Sequence, residues 1–249
     1  MKVNVILSPN NVDDLYFTGK TTVVIDVLRA TSVILKALDS KAKEVIPVGS
    51  IDFAMKISVN SHGGQTLLCG ERNTQMIEGF DLGNSPSEYT EERVGGKSII
   101  LFTTNGSKAI VKAKYSDKVF IASFNNLSTI ADHLIKLNND VEIISSGASG
   151  IFCLEDTICA GALVKLIMEK KPDIKLTDAT NASLTLNEKY GKDIKLMLEN
   201  CEHGKILMTN DFESDLDFCS TVDNIPLIPY FTGGEIKLFN NEIIDSQSN

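Results

Sequence analysis

The sequence predicts an α/β fold of three layers, α/β/α, with a mainly parallel sheet. Short β-branched runs alternate with segments of helical periodicity, which is typical of βα units. The run at residues 98–103 contains an Ile-Ile-Leu-Phe core, as expected of a strand that is covered on both faces. Of the 249 residues, 43% are hydrophobic and 23% are charged, a balance that allows a buried core.

Seven strands are predicted in order, at residues 3–7, 22–27, 45–48, 66–69, 98–103, 119–122 and 141–145. Helices are predicted between strands where apolar residues lie three and four apart, as at residues 30–38, 127–134 and 159–167. A last extended piece at residues 227–231 is flanked by Pro226 and Pro229.

The expected organisation is a single domain over residues 1–249, with an arrangement in two lobes as the alternative. Residues 177–223 are richer in helical pattern than in strands, so we predict a helical sub-region there. Ile194, Met197, Leu198 and Cys201 mark one of its helices, and Gly204 is available to terminate that helix.

Charge and the length of the apolar runs argue against nucleic acid and membrane as partners. With 33 acidic and 24 basic residues the net charge is −9, and no basic stripe is present, so we expect no nucleic acid as partner. The longest apolar runs fall short of the roughly 18 residues that a membrane span needs. No signal peptide is apparent, so a cytoplasmic protein is expected. A homo-oligomer is left open.

Cysteine and histidine patterns predict no zinc or redox site. The five cysteines include no C-x-x-C pair and are expected to be reduced, buried thiols. The three histidines do not cluster in the sequence, and no H-E-x-x-H motif occurs.

Three strand-to-helix junctions, at residues 25–32, 102–107 and 145–150, share a pattern of small polar residues after an apolar strand. In a parallel sheet these junctions lie at one edge, where open α/β sheets bind ligands. Hydroxyl groups and free N–H groups at helix starts suit a phosphate or a sulfonate. For any one junction considered alone, the alternative to ligand binding is that these residues simply cap the helix that follows.

Asp26 stands at the end of an apolar strand, where a carboxylate either faces a ligand or is buried at a cost in free energy. Arg29 is then either its ion-pair partner or a second active-site residue. A nucleophilic aspartate of the Asp-x-Asp type is not indicated, because Leu28 occupies the second position.

The densest polar segment runs from Gly70 to Pro86. Glu71 and Arg72 offer a metal ligand and an anion clamp side by side, and glycines allow close approach of the backbone. Mg²⁺ binds oxygen ligands and typically uses one or two protein carboxylates, so a dense acidic motif is not required. A surface loop that ends with Ser85 as a helix cap is the alternative.

Glu155 and Asp156 follow the third junction at the expected start of a helix. They either complement the helix dipole or belong to a metal site.

Taken together, five segments resemble the motifs of the 2-phosphosulfolactate phosphatase (ComB-like) family. They are residues 26–32, 70–72, 79–86, 103–106 and 154–157, and the most specific is Gly-Phe-Asp-Leu-Gly-Asn-Ser-Pro at 79–86. The resemblance covers roughly residues 1–230. It implies a ComB-like α/β fold and a Mg²⁺-dependent acid phosphatase that converts 2-phosphosulfolactate to sulfolactate and phosphate in coenzyme M biosynthesis.

On this basis each candidate residue receives an expected role. Asp26 and Glu71 are expected to hold Mg²⁺, helped by Asp81 or Asp156. Arg29 and Arg72 are expected to grip the phosphate and the sulfonate of a small anionic substrate. Hydrogen-bond donors to that substrate are expected at Thr31, Ser32, Asn84, Ser85, Thr104, Asn105, Gly106 and Ser107. The expected nucleophile is a water molecule on the metal, because no serine or cysteine has a base beside it in the sequence.

Two other functions are kept open. The first is a phosphatase of the same fold that acts on another small organic phosphate. The second is a protein that binds an anion without turning it over. A nucleotide-dependent enzyme is disfavoured, since neither G-x-G-x-x-G nor G-x-x-x-x-G-K-S/T is present.

Overall fold

The structure, a computed structural model, describes residues 1–59 and 65–240. Its strands are β1 (Lys2–Ile6), β2 (Thr21–Ile25), β3 (Glu44–Val48), β4 (Thr66–Arg72), β5 (Gln75–Met76), β6 (Ser98–Phe102), β7 (Lys118–Ala122), β8 (Val141–Ser145), β9 (Lys175–Leu176), β10 (Pro229–Thr232) and β11 (Glu235–Leu238). Its α-helices are α1 (Ala30–Asp39), α2 (Ile51–Val59), α3 (Glu91–Val94), α4 (Gly106–Lys112), α5 (Leu127–Leu137), α6 (Leu154–Lys170), α7 (Asp178–Tyr190), α8 (Ile194–Asn200), α9 (Glu202–Thr209) and α10 (Glu213–Ser220).

The strands form one sheet in the order β5-β4-β6-β3-β11-β10-β7-β2-β8-β1-β9. Strands β4, β6 and β3 pair in parallel on one side, and β7, β2, β8, β1 and β9 pair in parallel on the other. The antiparallel hairpin β10–β11 joins these two groups through β7 and β3. The mainly parallel sheet is therefore confirmed, but the hairpin in its middle was not predicted.

Both faces of the sheet are covered. Along β2, Val23 and Ile25 pack into one apolar cluster and Val24 packs into another, as the two-residue period of a strand requires. The first cluster includes apolar side chains of α5, α6, α8, α9 and α10, and the second includes those of α1 and α4. A third cluster lies between α2 and strands β3, β4 and β6. These layers confirm the α/β/α architecture.

Residues 178–220 contain four helices, α7 to α10. Helix α7 lies close against α6, where a Cβ on Gly161 would approach the Ser183 carbonyl oxygen to 2.2 Å. Only glycine permits this separation of the two helix backbones.

All five cysteines are buried and free. Burial raises the pKa of the Cys69 and Cys219 thiols to about 12, so these groups stay protonated at neutral pH. Among the described helices, none has the length and apolar character that a membrane span demands.

Candidate active site

The carboxyl ends of β2, β4 and β6 meet at one place, although four strands separate β6 from β2 in the sheet order. Asp26 follows β2, Glu71 lies near the end of β4, and residues 103–106 follow β6. A Cβ on Gly106 would lie 2.4 Å from Asp26 Oδ2 and 2.4 Å from Ala30 Cβ, so α4 begins directly against the β2–α1 junction. The absence of a side chain at residue 106 allows the two junctions to approach this closely.

Two adjoining cavities lie at this meeting point. The inner cavity, about 10 Å³, is lined by Asp26, Leu28, Arg29, Glu71, Thr74, Asn84, Thr103, Asn105 and His203. The outer cavity, about 470 Å³, is lined by Glu71, Asn73, Thr74, Thr104, Asn105, Ala148, Ser149, Phe152, Cys153, Leu154, Glu155, Asn200, Cys201, Glu202, His203 and Ile206. The inner cavity has room for about one water molecule or one small ion.

Asp26 and Glu71 are both buried, 6% and 8% exposed, and both receive hydrogen bonds from backbone N–H groups. Asp26 Oδ1 accepts from Ala30 N at 3.2 Å. Glu71 Oε1 accepts from Thr104 N at 2.7 Å, and Glu71 Oε2 accepts from Thr74 N at 2.9 Å. These bonds fix both carboxylates at the cavity but place no cationic group against either of them.

The β4–β5 turn explains how Glu71 is held. Asn73 and Thr74 both have positive φ, 54° and 68°, as a tight two-residue hairpin requires. The turn aims the Thr74 N–H at Glu71 and the Thr74 carbonyl oxygen at Arg29, whose Nη2 donates to it at 2.9 Å. One residue thereby positions two side chains of the site.

Arg29 is buried, 2% exposed, and its charge is already paired. Its Nη1 donates to Asp215 Oδ2 at 2.5 Å, and its guanidinium lies 4.2 Å from the ring centroid of Phe212. Ser85 Oγ donates to the second oxygen of Asp215, also at 2.5 Å. Helix α10 thus anchors Arg29. Of the two alternatives that the sequence left open for Arg29, the ion pair with Asp26 is not formed, because Asp215 is its partner.

The site is rich in buried carboxyl groups, and their surroundings oppose ionisation. The pKa of Asp26 is raised to about 7, mainly by burial and in addition by the charges of Glu71 and Glu155, against the lowering effect of the Ala30 N–H bond. Burial also raises the pKa of Glu155 above its ordinary value. Because these carboxyl groups lie close together, ionisation of one of them raises the pKa of the others.

His203 lines both cavities, and its Nδ1 lies 3.7 Å from Glu155 Oε1. The pKa of His203 is lowered to about 4, mainly by burial and in addition by the nearby Arg29 charge, against the raising effect of Glu71. The imidazole is consequently neutral at pH 7, and its contact with Glu155 is not an ion pair.

Two expected site residues do not reach the cavities. Arg72 is exposed, because it follows Glu71 along β4 and its side chain points to the opposite face of the strand. Asp81 is also exposed, and its Oδ2 accepts from Leu68 N at 2.8 Å, which ties the loop to β4.

Asp156 is buried, and its carboxylate accepts hydrogen bonds from backbone N–H groups instead of lining either cavity. Its Oδ1 accepts from Val27 N at 2.8 Å and its Oδ2 accepts from Gly147 N at 3.1 Å. Asp156 therefore clamps the ends of β2 and β8 together.

The expected hydroxyl donors divide into two groups. Thr31 Oγ1 donates to Asp26 O at 2.7 Å, Ser32 Oγ donates to Val27 O at 2.9 Å, and Ser107 Oγ donates to Val48 O at 2.8 Å. These three side chains stabilise the junctions, and their protons are not free for a substrate. Thr104, in contrast, lines the outer cavity.

Asn84 and Asn105 are the amides that face the inner cavity. Asn84 Oδ1 is buried and has no hydrogen-bond partner within the described part of the chain. Asn105 Oδ1 accepts from Ser149 N at 2.8 Å, which links the second and third junctions as the sequence analysis expected.

The residues present fit a magnesium ion. Among residues 1–59 and 65–240, no three His, Cys, Asp or Glu side chains are grouped to hold a metal. Mg²⁺, however, needs only one or two carboxylates and keeps several waters. Asp26, Glu71 and the unpartnered Asn84 Oδ1 supply oxygen donors around the inner cavity, whereas Asp81 and Asp156 do not line it.

Sequence reasoning did not assign roles to His203 and Asp215, which α9 and α10 bring to the site. Glu155 was noted, but its neighbour Asp156 was chosen as a metal ligand. For Asp215 the sequence shows only an acidic residue within a short helical segment. The spacing of such a residue does not reveal which distant side chain it will pair with.

Comparison with known proteins gives one consistent result. Residues 6–234 match the model of the 2-phosphosulpholactate phosphatase family. A relative from Clostridium acetobutylicum, named probable 2-phosphosulfolactate phosphatase, is 39% identical over 236 residues, covering 95% of this chain and 100% of the relative. Relatives with the same name from Clostridium perfringens (strain SM101) and Caldanaerobacter subterraneus are each 38% identical. They cover 98% and 92% of this chain and 98% and 94% of their own lengths.

Proposed function

The chain belongs to the 2-phosphosulpholactate phosphatase family, and from that premise we propose that it is a Mg²⁺-dependent phosphatase that hydrolyses 2-phosphosulfolactate to sulfolactate and phosphate. The proposal includes the setting that the resemblance implies, a cytoplasmic enzyme of coenzyme M biosynthesis.

The observation that carries the proposal is the charge of the inner cavity. Asp26 and Glu71 face it without a cationic partner, and the one arginine that lines it is paired with Asp215. Such a cavity repels a phosphate ester unless a divalent cation offsets the carboxylates. Mg²⁺ would reduce the repulsion between the carboxylates of the site and the negative substrate, which supports a Mg²⁺-dependent phosphatase.

Asp26, Glu71 and Asn84 are the residues that would hold the ion. When bound, Mg²⁺ supplies positive charge to the phosphate oxygens as charge shifts in the transition state. Arg29, held in place by Asp215 and Thr74, adds a fixed cation beside them. The Asn105 amide lines the same cavity and orients the phosphate by donating hydrogen bonds.

Glu155 is the group that we assign to proton exchange with the leaving oxygen. It is 2% exposed, lines the outer cavity and has a pKa that burial raises, so it is closer to protonation at neutral pH than an ordinary glutamate. His203 lies beside it, with its Nδ1 3.7 Å from Glu155 Oε1.

The test is release of inorganic phosphate from 2-phosphosulfolactate, with Mg²⁺ and with EDTA. We expect turnover with Mg²⁺ and loss of turnover with EDTA, and Asp26→Asn purified in the same way controls for contaminating phosphatase. Equal turnover of ordinary phosphate monoesters would instead support a general phosphatase. Binding of 2-phosphosulfolactate without phosphate release would support an anion-binding protein.

A further inference from the structure

A third cavity, about 530 Å³, shares Thr104, Asn105 and Ser149 with the outer cavity. We call it the lysine cavity. It is lined by Pro9, Asn10, Asp14, Gly49, Thr104, Asn105, Lys108, Ala109, Val111, Lys112, Ser146, Ser149 and Gly150. Asn105 lines this cavity, the outer cavity and the inner cavity, so a small molecule at Asn105 can place groups in more than one of them.

The lysine cavity and the outer cavity have opposite charge. The outer cavity contains Glu71, Glu155 and Glu202 among its lining residues and neither lysine nor arginine. The lysine cavity contains Lys108 and Lys112 against a single acid, Asp14.

The two lysines are not equivalent. Lys112 Nζ lies 3.5 Å from Asp14 Oδ1, so its charge is offset. Lys108 Nζ lies 5.6 Å from the ring centroid of Phe102 and forms no ion pair with a carboxylate of residues 1–59 or 65–240. Lys108 therefore provides the net positive charge of the cavity.

Ser146 is an independent indication of a ligand. It is 2% exposed, it lines the lysine cavity, and its Oγ has no hydrogen-bond partner among the described residues. A buried hydroxyl without a partner is costly in free energy, and an acceptor oxygen placed in the cavity would satisfy it.

We propose that the lysine cavity binds the sulfonate of the substrate, with Lys108 as its cation and the Ser146 hydroxyl as a hydrogen-bond donor. This inference rests on the proposed function, because the phosphate is taken to lie at the inner cavity, which shares Asn105 with the lysine cavity. Lys108 then determines specificity, since it distinguishes phosphate esters that carry a sulfonate from those that do not.

The first test compares two substrates that differ only in the sulfonate, 2-phosphosulfolactate and 2-phospholactate. In Lys108→Gln the ratio of their kcat/KM values is expected to fall about tenfold, as loss of a charge-assisted hydrogen bond predicts. Lys114→Gln is the matched control, because Lys114 is an exposed lysine that does not line this cavity. Its ratio should equal that of the wild type.

The outcomes separate the two proposals. An active wild type whose ratio is unchanged in Lys108→Gln overturns the sulfonate site and leaves the phosphatase proposal standing. An inactive wild type overturns the phosphatase proposal, and calorimetric binding then decides on the sulfonate site. In that case 3-sulfolactate should bind more tightly than lactate, and only Lys108→Gln should remove the difference.

Ser146→Ala gives a second, independent measurement. We expect the Kd of 3-sulfolactate to rise about fivefold while the Tm of the ligand-free protein stays the same or rises, because the unsatisfied hydroxyl is gone. An unchanged Kd, or a fall in Tm without ligand, would give Ser146 a structural role and remove it from the site.

Discussion

Two of the buried regions that contain polar atoms without a hydrogen-bond partner among the described residues can be compared directly. One is the inner cavity, with Asn84 Oδ1 and Thr74 Oγ1, and the other is an aromatic cluster that holds His133 Nε2. The regions differ in their surroundings. Asn84 and Thr74 face a space that they share with carboxylates, whereas His133 packs against Phe120 and Phe239 with ring centroids 4.8 and 4.6 Å away.

The comparison shows that an unpartnered polar atom does not by itself indicate a ligand site. At the inner cavity, free space and converging charge accompany the atom, and both are needed to bind a metal and a phosphate. In the aromatic cluster the same defect is a cost in stability that good packing offsets. Substitutions should therefore change function in the first region and only stability in the second.

The largest effect is expected for Asp26→Asn. Removing this carboxylate should lower kcat/KM at least about 10³-fold and weaken Mg²⁺ binding, because half of the proposed carboxylate ligands are lost. In EDTA the Tm should not fall, since the wild-type carboxylate is buried without a cation. Calorimetric titration with Mg²⁺ and thermal unfolding measure the two effects. Turnover within tenfold of wild type in the folded variant would exclude Asp26 from the site.

A substitution of Asp215, which holds Arg29 at the inner cavity, should lower both activity and stability. Asp215→Asn leaves Arg29 buried without its ion-pair partner, and we expect a loss of about 3–5 kcal/mol in the free energy of unfolding together with reduced kcat. Urea unfolding and steady-state kinetics provide the measurements.

Asp217→Asn is the matched control, two residues further along α10. Asp217 pairs with Lys195 at 2.6 Å, but both side chains are exposed, so the expected loss is below about 1 kcal/mol. Equal losses in the two variants would show that the Arg29–Asp215 pair does not organise the site.

The sequence predicted the parts of this site that depend on local pattern. Apolar runs located the seven main strands, and the small polar residues after them located the junctions that carry Asp26 and Asn105. The very short strands β5 and β9 escaped detection, because a two-residue strand has no measurable period.

The rest of the site depends on contacts between distant residues. Asp215 meets Arg29 across 186 positions of the chain, and no spacing rule connects them. Arg72 was expected beside Glu71 in the site, yet adjacent residues of a strand point to opposite faces. Thr31, Ser32 and Ser107 have the residue types of substrate donors, and only the structure shows that backbone carbonyl oxygens accept their protons.

The smallest effect is expected in the aromatic cluster, for His133→Phe. Burial lowers the pKa of His133 below its ordinary value of 6.5, and the charges of Lys136 and Lys118 lower it further. As pH falls below about 6.5, the unfolded chain therefore binds a proton that the folded protein resists, and wild-type stability decreases. The contribution of neutral His133 is complete above that pH, where the two states bind the same number of protons.

Phenylalanine keeps the ring packing and cannot titrate, so the variant should lose this pH dependence. Relative to wild type we expect it to gain less than about 1 kcal/mol at pH 5.5, with unchanged kcat/KM for 2-phosphosulfolactate. Lys136→Gln sharpens the test, because removing one nearby charge should reduce the wild-type pH dependence without abolishing it. If His133→Phe instead impaired catalysis while leaving stability unaffected, the unpartnered Nε2 would belong to a functional site, and the distinction between the two regions would fail.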